Sequence, residues 1–235
     1  MTAKEILAHL KSLENESVKK LLLKHGAREP FYGVKIEELK KIQKKIKKDY
    51  QLSKDLYATG VSEAMYLAGL IADETKMTKQ DLQLWVKDAD WAMLSEFTVP
   101  WVAAESKYGY ELGIEWIDSD NENIAAAGWS TFSSLVKIKE DSELDIATFK
   151  KLLKRVQNDI HNSPNRVRLA MNGFVIAVGS YFLPLYEEAL KVGEKNGIIK
   201  VNMDGTACKV PMASEYIKKV VSKGNHGKKR KTARC

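Results

Sequence analysis

Cysteine is nearly absent: Cys208 and Cys235 are the only two in 235 residues. A pair between them is possible on paper, but a scaffold stapled by several disulfides is excluded. Reduced thiols and a cytoplasmic setting are the simplest expectation. Five prolines and 14 glycines leave little room for long low-complexity linkers. No run approaches the apolar length that spans a bilayer, so no membrane partner is expected. Met1 to Leu10 carries Lys4, Glu5 and His9 where a secretory signal would be apolar. Chemical motifs are missing too. The four histidines (His9, His25, His161, His226) are scattered without ligand spacing. There is no glycine-rich phosphate loop and no Gly-x-Ser-x-Gly elbow. Neither a metal nor a cofactor is expected.

What the chain does have is helical periodicity. Ile6, Leu7, Leu10 and Leu13 form one stripe, and Val18 with Leu21, Leu22 and Leu23 forms a second that Gly26 can end. Ile36, Leu39, Ile42 and Ile46 recur at three- and four-residue steps, with Lys40, Lys41, Lys44, Lys45, Lys47 and Lys48 on the other faces. Ser62, Thr78 and Asp90 stand as caps before further apolar helices. Pro100 interrupts the helix begun at Asp90. Asn162-Ser163-Pro164 opens a long helix to about Phe182, and Pro211 opens the last one. Between them, Ile198 to Met203 alternates loosely before Asp204-Gly205, which predicts a short extended excursion and a turn. Helix pairs recur roughly every 30–45 residues without a strict repeat, as degenerate helical repeats do. The expected fold is all-α, a superhelical stack of antiparallel helix pairs (an α-solenoid), forming one domain over residues 1–222.

Charge is unevenly placed. Residues 223–235 hold six of the seven net positive charges and no acid, so the folded body is nearly neutral. This tail is expected to be disordered. Its Lys228-Lys229-Arg230-Lys231 run suits nucleic acid, an import signal or a solubilising end equally. Within the body, Gly33-Val34-Lys35 leads straight into a helix, where free N–H groups and Lys35 can hold an anion. Lys40 and Lys44 on the next turns can track a phosphate backbone, or simply face solvent. Arg166 and Arg168 can reach phosphates or pair with acids. Five tryptophans and nine tyrosines exceed what packing needs, so some are expected at the surface. The segment from Asp88 to Trp101 places Asp88, Asp90 and Glu96 near Trp91 and Trp101. Indoles beside a carboxylate suit a flat, electron-poor base, the rings stacking and the carboxylate stabilising positive charge. Two core tryptophans with Asp90 as a cap fit the same residues.

Lys24-His25, Phe31-Tyr32-Gly33-Val34 and Leu39-Lys40-Lys41-Ile42 resemble the N-terminal signature of the AlkD-like DNA alkylation repair family. The order of later landmarks is similar: a Trp-bearing helix before Val99-Pro100, the Ser119-Asp120-Asn121 helix start, then Arg166 to Phe174. The resemblance spans about residues 20–195. It implies a curved stack of HEAT-like repeats that binds double-stranded DNA as a monomer. Active members hydrolyse the N-glycosidic bond of alkylated purines such as 3-methyladenine and 7-methylguanine without a metal. An alkylated purine is already a cationic leaving group, so such a site mainly stabilises positive charge and positions water. Carried over, the catalytic Asp falls on Glu96 when aligned through Val99-Pro100, and on Ser95 when aligned through Trp91. The base contacts fall on Trp91 and Phe174, with Trp129 beside Ala127, where the family has an Arg. Lys35, Lys40, Lys44, Arg166 and Arg168 are the expected phosphate contacts. Three functions follow: a glycosylase using Glu96, a non-catalytic nucleic-acid binder, or a scaffold for a protein partner.

Overall fold

The computed structural model describes residues 1–203, 205–206 and 208–234. Asp204 of the expected turn and Cys235 lie outside these. Among the described residues there are thirteen α-helices and no strands. They are α1 (Ala3–Ser12), α2 (Glu16–Lys24), α3 (Ile36–Ile46), α4 (Tyr50–Tyr57), α5 (Ser62–Ile71), α6 (Lys79–Asp88), α7 (Val99–Glu105), α8 (Gly109–Trp116), α9 (Glu122–Ile138), α10 (Ile146–Asp159), α11 (Asn165–Tyr181), α12 (Tyr186–Asn196) and α13 (Ala213–Ser222). Local chemistry sets most of the starts. Thr2 with Glu5, and Thr78 with Asp81, form reciprocal capping boxes on α1 and α6. Asn15, Asp49, Asn121 and Asp145 cap α2, α4, α9 and α10. Ser62 is the first residue of α5 and not its cap, which is Val61. Residues 198–203 form no strand; Asn165 pins them through two hydrogen bonds with the Asn202 backbone, at 2.9 and 2.7 Å.

The helices stack in two rows. One row runs α3, α5, α7, α9, α11, α13, each packed on its neighbour; α4, α6, α8, α10 and α12 back it. This is the expected solenoid. Close approach within a pair needs small residues. A Cβ on Gly128 of α9 would come within 2.6 Å of the Ile117 nitrogen, and one on Gly113 of α8 within 2.9 Å of the Phe132 ring. The apolar stripes merge into two contiguous clusters, one built on α1–α8 and one on α9–α13. Of the tryptophans and tyrosines expected to reach a surface, Tyr110 and Tyr216 do, at 38 % and 43 % exposure, while all five tryptophans are at most 7 % exposed. Core packing and long aromatic contacts, such as Tyr57 stacked on Trp85 at 4.1 Å, consume them.

One local feature sharpens the reading of the sequence and another departs from it. The helix that carries Pro100 is interrupted as expected, by a π-helical turn, Leu94–Thr98, that runs directly into α7 just ahead of the proline. Residues 227–234 are not a disordered tail. They lie as a strap across the carboxyl ends of α11, α9 and α7 and onto Glu74, just past α5. Gly227 N–H donates to Ser180 C=O at 2.9 Å, and Arg230 N–H to Lys137 C=O at 2.7 Å. The Lys229 ammonium donates to Tyr181 C=O (2.7 Å) and Val136 C=O (3.0 Å) and pairs with Asp141 (2.7 Å). Arg234 bridges Glu74 and Glu105 at 2.9 and 3.0 Å. Carboxyl ends of helices carry unpaired carbonyls and partial negative charge, so a basic segment is ordered by what it covers.

Candidate nucleic-acid interface

The opposite, amino ends of the same row form the candidate site. Asp90 and Trp91 precede the π turn, Asn121 and Glu122 begin α9, and Arg166 begins α11. With His25 and Arg28 from the α2–α3 connection they line an open polar cleft of about 450 Å³. Burial pushes the Asp90 carboxyl up from its ordinary range, with Arg28 opposing. Trp91 forms the floor at 5 % exposure, and its indole N–H has no partner.

Glu96 reaches this region but is not free. Its side chain is 8 % exposed, and Oε1 accepts from the Arg166 guanidinium Nε at 2.6 Å. The Arg166 backbone N–H in turn donates to Glu122 at 2.5 Å, which ties α9 to α11. Burial raises the Glu96 pKa, and the nearby guanidinium only partly offsets it. The other alignment fares no better. Ser95 is fully buried, and its hydroxyl donates to Trp91 C=O at 3.2 Å. Neither position offers a carboxylate to the cleft.

The structure thus brings Trp91, Glu96 and Arg166 together, sets Lys35 on a neighbouring cleft that Trp91 also lines, and separates Phe174, Trp129 and Arg168 from them. Phe174 is fully buried in the second cluster, edge-on to Trp129 at 5.2 Å and stacked on Phe149 at 6.0 Å. Trp129 is also fully buried, beneath the Arg155 guanidinium, which pairs with Asp118. Both were expected against a base; both are core, because α9 and α11 pack on each other along that face. Arg168 lies away from Arg166, on a separate open cleft that Lys200, Asn202 and Lys209 also line, and its Nε has no partner.

The anion expected at Gly33-Val34-Lys35 is supplied by the protein itself. The buried Glu63 carboxylate accepts the N–H groups of Tyr32 (3.1 Å), Gly33 (2.6 Å) and Val34 (3.1 Å). Gly33 takes φ +76°, and a Cβ there would lie 2.5 Å from Asn15 O, so only glycine fits. Lys35 and Lys44 are exposed and Lys40 half-buried on α3. Lys35 has only a loose contact to Glu37 at 3.8 Å. Beside them, Leu21, Leu22, Val34, Leu39, Tyr66 and Trp91 line an apolar cleft of about 350 Å³, so Trp91 forms part of both clefts. His25, Arg28 and Glu122 are site residues the sequence did not single out. Only their places beside a helix end could have marked them.

Comparison with known proteins places this geometry. The profile of the family described as DNA alkylation repair enzyme matches residues 6–217. An uncharacterised protein of Listeria monocytogenes is 30% identical over 225 residues, covering 93% of this chain and 97% of its own. One of Listeria innocua is 29% identical over 231 residues, covering 96% and 100%. A solved structure aligns over 100% of both chains with TM-score 0.92 and 36% identity. It is described as a new family of proteins related to the HEAT-like repeat DNA glycosylases with affinity for branched DNA structures. With the stacked helix pairs, the family profile over nearly the whole chain and a structural match of this closeness, the chain belongs to the DNA alkylation repair enzyme family.

Proposed function

We propose that this protein binds DNA by its shape, preferring branched over plain duplex DNA, and does not excise bases. The observation that carries the reading is the Glu96–Arg166 pair. With an 8 % exposed side chain and a guanidinium on it, this carboxylate is not presented to the cleft as a free base, which supports a binding role over excision. The loss of Phe174 and Trp129 to the core supports it, since Trp91 alone remains beside the cleft. The affinity for branched DNA ascribed to the similar structure gives the substrate class. In this reading a monomer sets the amino-end cleft at the branch. Arg28 is beside it, and Lys35, Lys40 and Lys44 reach along the phosphates of a duplex arm.

Fluorescence anisotropy with a four-way junction and with its isolated duplex arm, over a salt series, tests this. The junction is expected to bind at least tenfold tighter. The affinity should fall with salt at about 0.9 log units per phosphate contact. K35A/K40A/K44A should flatten that slope. Equal affinity for junction and arm, or no binding at low salt, refutes the reading. Release of methylated purine from alkylated duplex that is lost in Glu96→Gln would instead restore the excision reading.

A further inference from the structure

The cations of the strap divide into two sets. Lys229 and Arg234 point inward, with side chains 12 % and 7 % exposed, and make the anchoring contacts. Lys228, Arg230 and Lys231 remain exposed, and none of them pairs with a carboxylate among the described residues. The acids beneath are already taken. Asp141 holds Lys229, Glu74 holds Lys48 and Arg234, Glu105 holds Arg234 and Ala233 N–H, and Glu143 holds Lys139. A polar cavity of about 360 Å³ opens there, lined by Lys48, Lys139, Lys231 and Arg234 together with Glu74, Glu105 and Glu143. The Arg234 Nε is buried beside it and donates to nothing.

Arg230 is also set against another cation. Its backbone is fixed on the Lys137 carbonyl. Burial, and then the Arg230 charge, bring the Lys137 ammonium down to about 8. Two like charges held together without a counter-ion are unfavourable in the free protein, and an arriving anion relieves both. A fixed segment with its inner cations bonded and its outer cations bare is a pre-ordered row for a polyanion. The ordering entropy of the backbone is met before any ligand arrives.

We propose that the outer face of the strap, Lys228, Arg230 and Lys231 with Lys137 below, is a second nucleic-acid contact that seats the phosphates of another arm of a branched DNA. It rests on the DNA-binding reading above and extends it to the opposite edge of the molecule. The two edges are the two ends of one helix row. The 17-residue α9 sets them about 25 Å apart, at roughly 1.5 Å per residue. An arm on the Trp91 edge therefore leaves the strap free for a second arm.

The test is K228A/R230A/K231A in the full chain, which keeps every anchor of the strap, with Arg230→Gln as the milder variant. Both are measured by anisotropy against the four-way junction and the isolated arm over a salt series, with thermal melts alongside. For the junction, the log–log salt slope should fall by about 2–3 in the triple variant and about 1 in Arg230→Gln. Binding of the isolated arm should change far less, and the melts should match wild type. Unchanged slope and affinity for the junction in both variants overturn the proposal while leaving the DNA-binding reading intact. An equal loss on the isolated arm overturns the second-arm assignment. A wild-type protein that binds neither DNA sinks the reading and the proposal together.

Discussion

Arg166→Met should destabilise the fold more than Glu96→Gln, although each removes one end of the same ion pair. The asymmetry comes from burial. Glu96 has 8 % of its side chain exposed, whereas Arg166 keeps 22 % and can turn to water. Removing the guanidinium strands a desolvated carboxylate, at a cost of about 3 kcal/mol near neutral pH. In Glu96→Gln the amide oxygen still accepts from Arg166, and the expected loss is about 1 kcal/mol. The pH dependence separates this from lost packing. The Glu96 carboxyl in the folded protein already titrates above its unfolded value of 4.5 because burial outweighs Arg166. Between those two values the folded state binds the extra proton, so this group's contribution to stability falls as pH rises. Without Arg166 the carboxyl rises further and the window widens upward. From pH 5 to pH 7 the variant should therefore lose stability relative to wild type, by up to about 1.4 kcal/mol per pH unit. The double variant E96Q/R166M has nothing left to titrate at this position, so the decline from pH 5 to pH 7 caused by the stranded carboxylate in Arg166→Met should be absent from its own stability profile. Urea unfolding of the four proteins at several pH values measures all of this. An Arg166→Met penalty that is constant from pH 5 to 7 would refute the burial argument.

Two further outcomes follow from the contacts. Glu63→Gln removes the charge from an acceptor serving three backbone N–H groups; it should cost about 2–3 kcal/mol in urea unfolding. Lys229→Met deletes two bonds to helix-end carbonyls and the pair with Asp141. It should lower stability by about 3 kcal/mol and speed proteolysis within residues 223–234, and protection equal to wild type would count against the strap.

Legibility in the sequence followed the range of the interaction. Thr78 reads correctly as a helix cap because its partner, the Asp81 N–H, sits within one turn. The stripe Ile36, Leu39, Ile42 and Ile46 reads correctly because a helix repeats locally. Glu96 and Arg166 are 70 residues apart, and nothing in either segment announces the other. The π turn lies between the two landmarks whose alignments differ by one residue. It inserts an extra residue into the helical ladder, so spacing counted from Trp91 and spacing counted back from Val99-Pro100 cannot both hold. Phe174 and Trp129 were misplaced because an aromatic on a helix looks the same from sequence whether its face meets solvent or a neighbouring helix. The strap was misread because composition measures only what a segment could bury. Its order comes instead from carbonyls and carboxylates on four other elements.

The strap also changes what kind of polymer this molecule is. A stack of helix pairs unfolds in principle like a one-dimensional chain, each unit coupled only to its neighbours and able to fray from either end. Here Arg234 meets Glu74 across 160 positions of sequence, and Ala233 enters the first apolar cluster while Lys229 is fastened to the second half. That link adds to the Glu96–Arg166 pair and to the packing of α7 and α8 on α9 in coupling the two halves. Fraying of the last helices is opposed by contacts with α5 and α7, and the early repeats cannot open without releasing the end of the chain. With the strap in place the array should melt as one cooperative unit; without it, only the packing of neighbouring helices and the Glu96–Arg166 pair hold the halves together, and the transition should broaden.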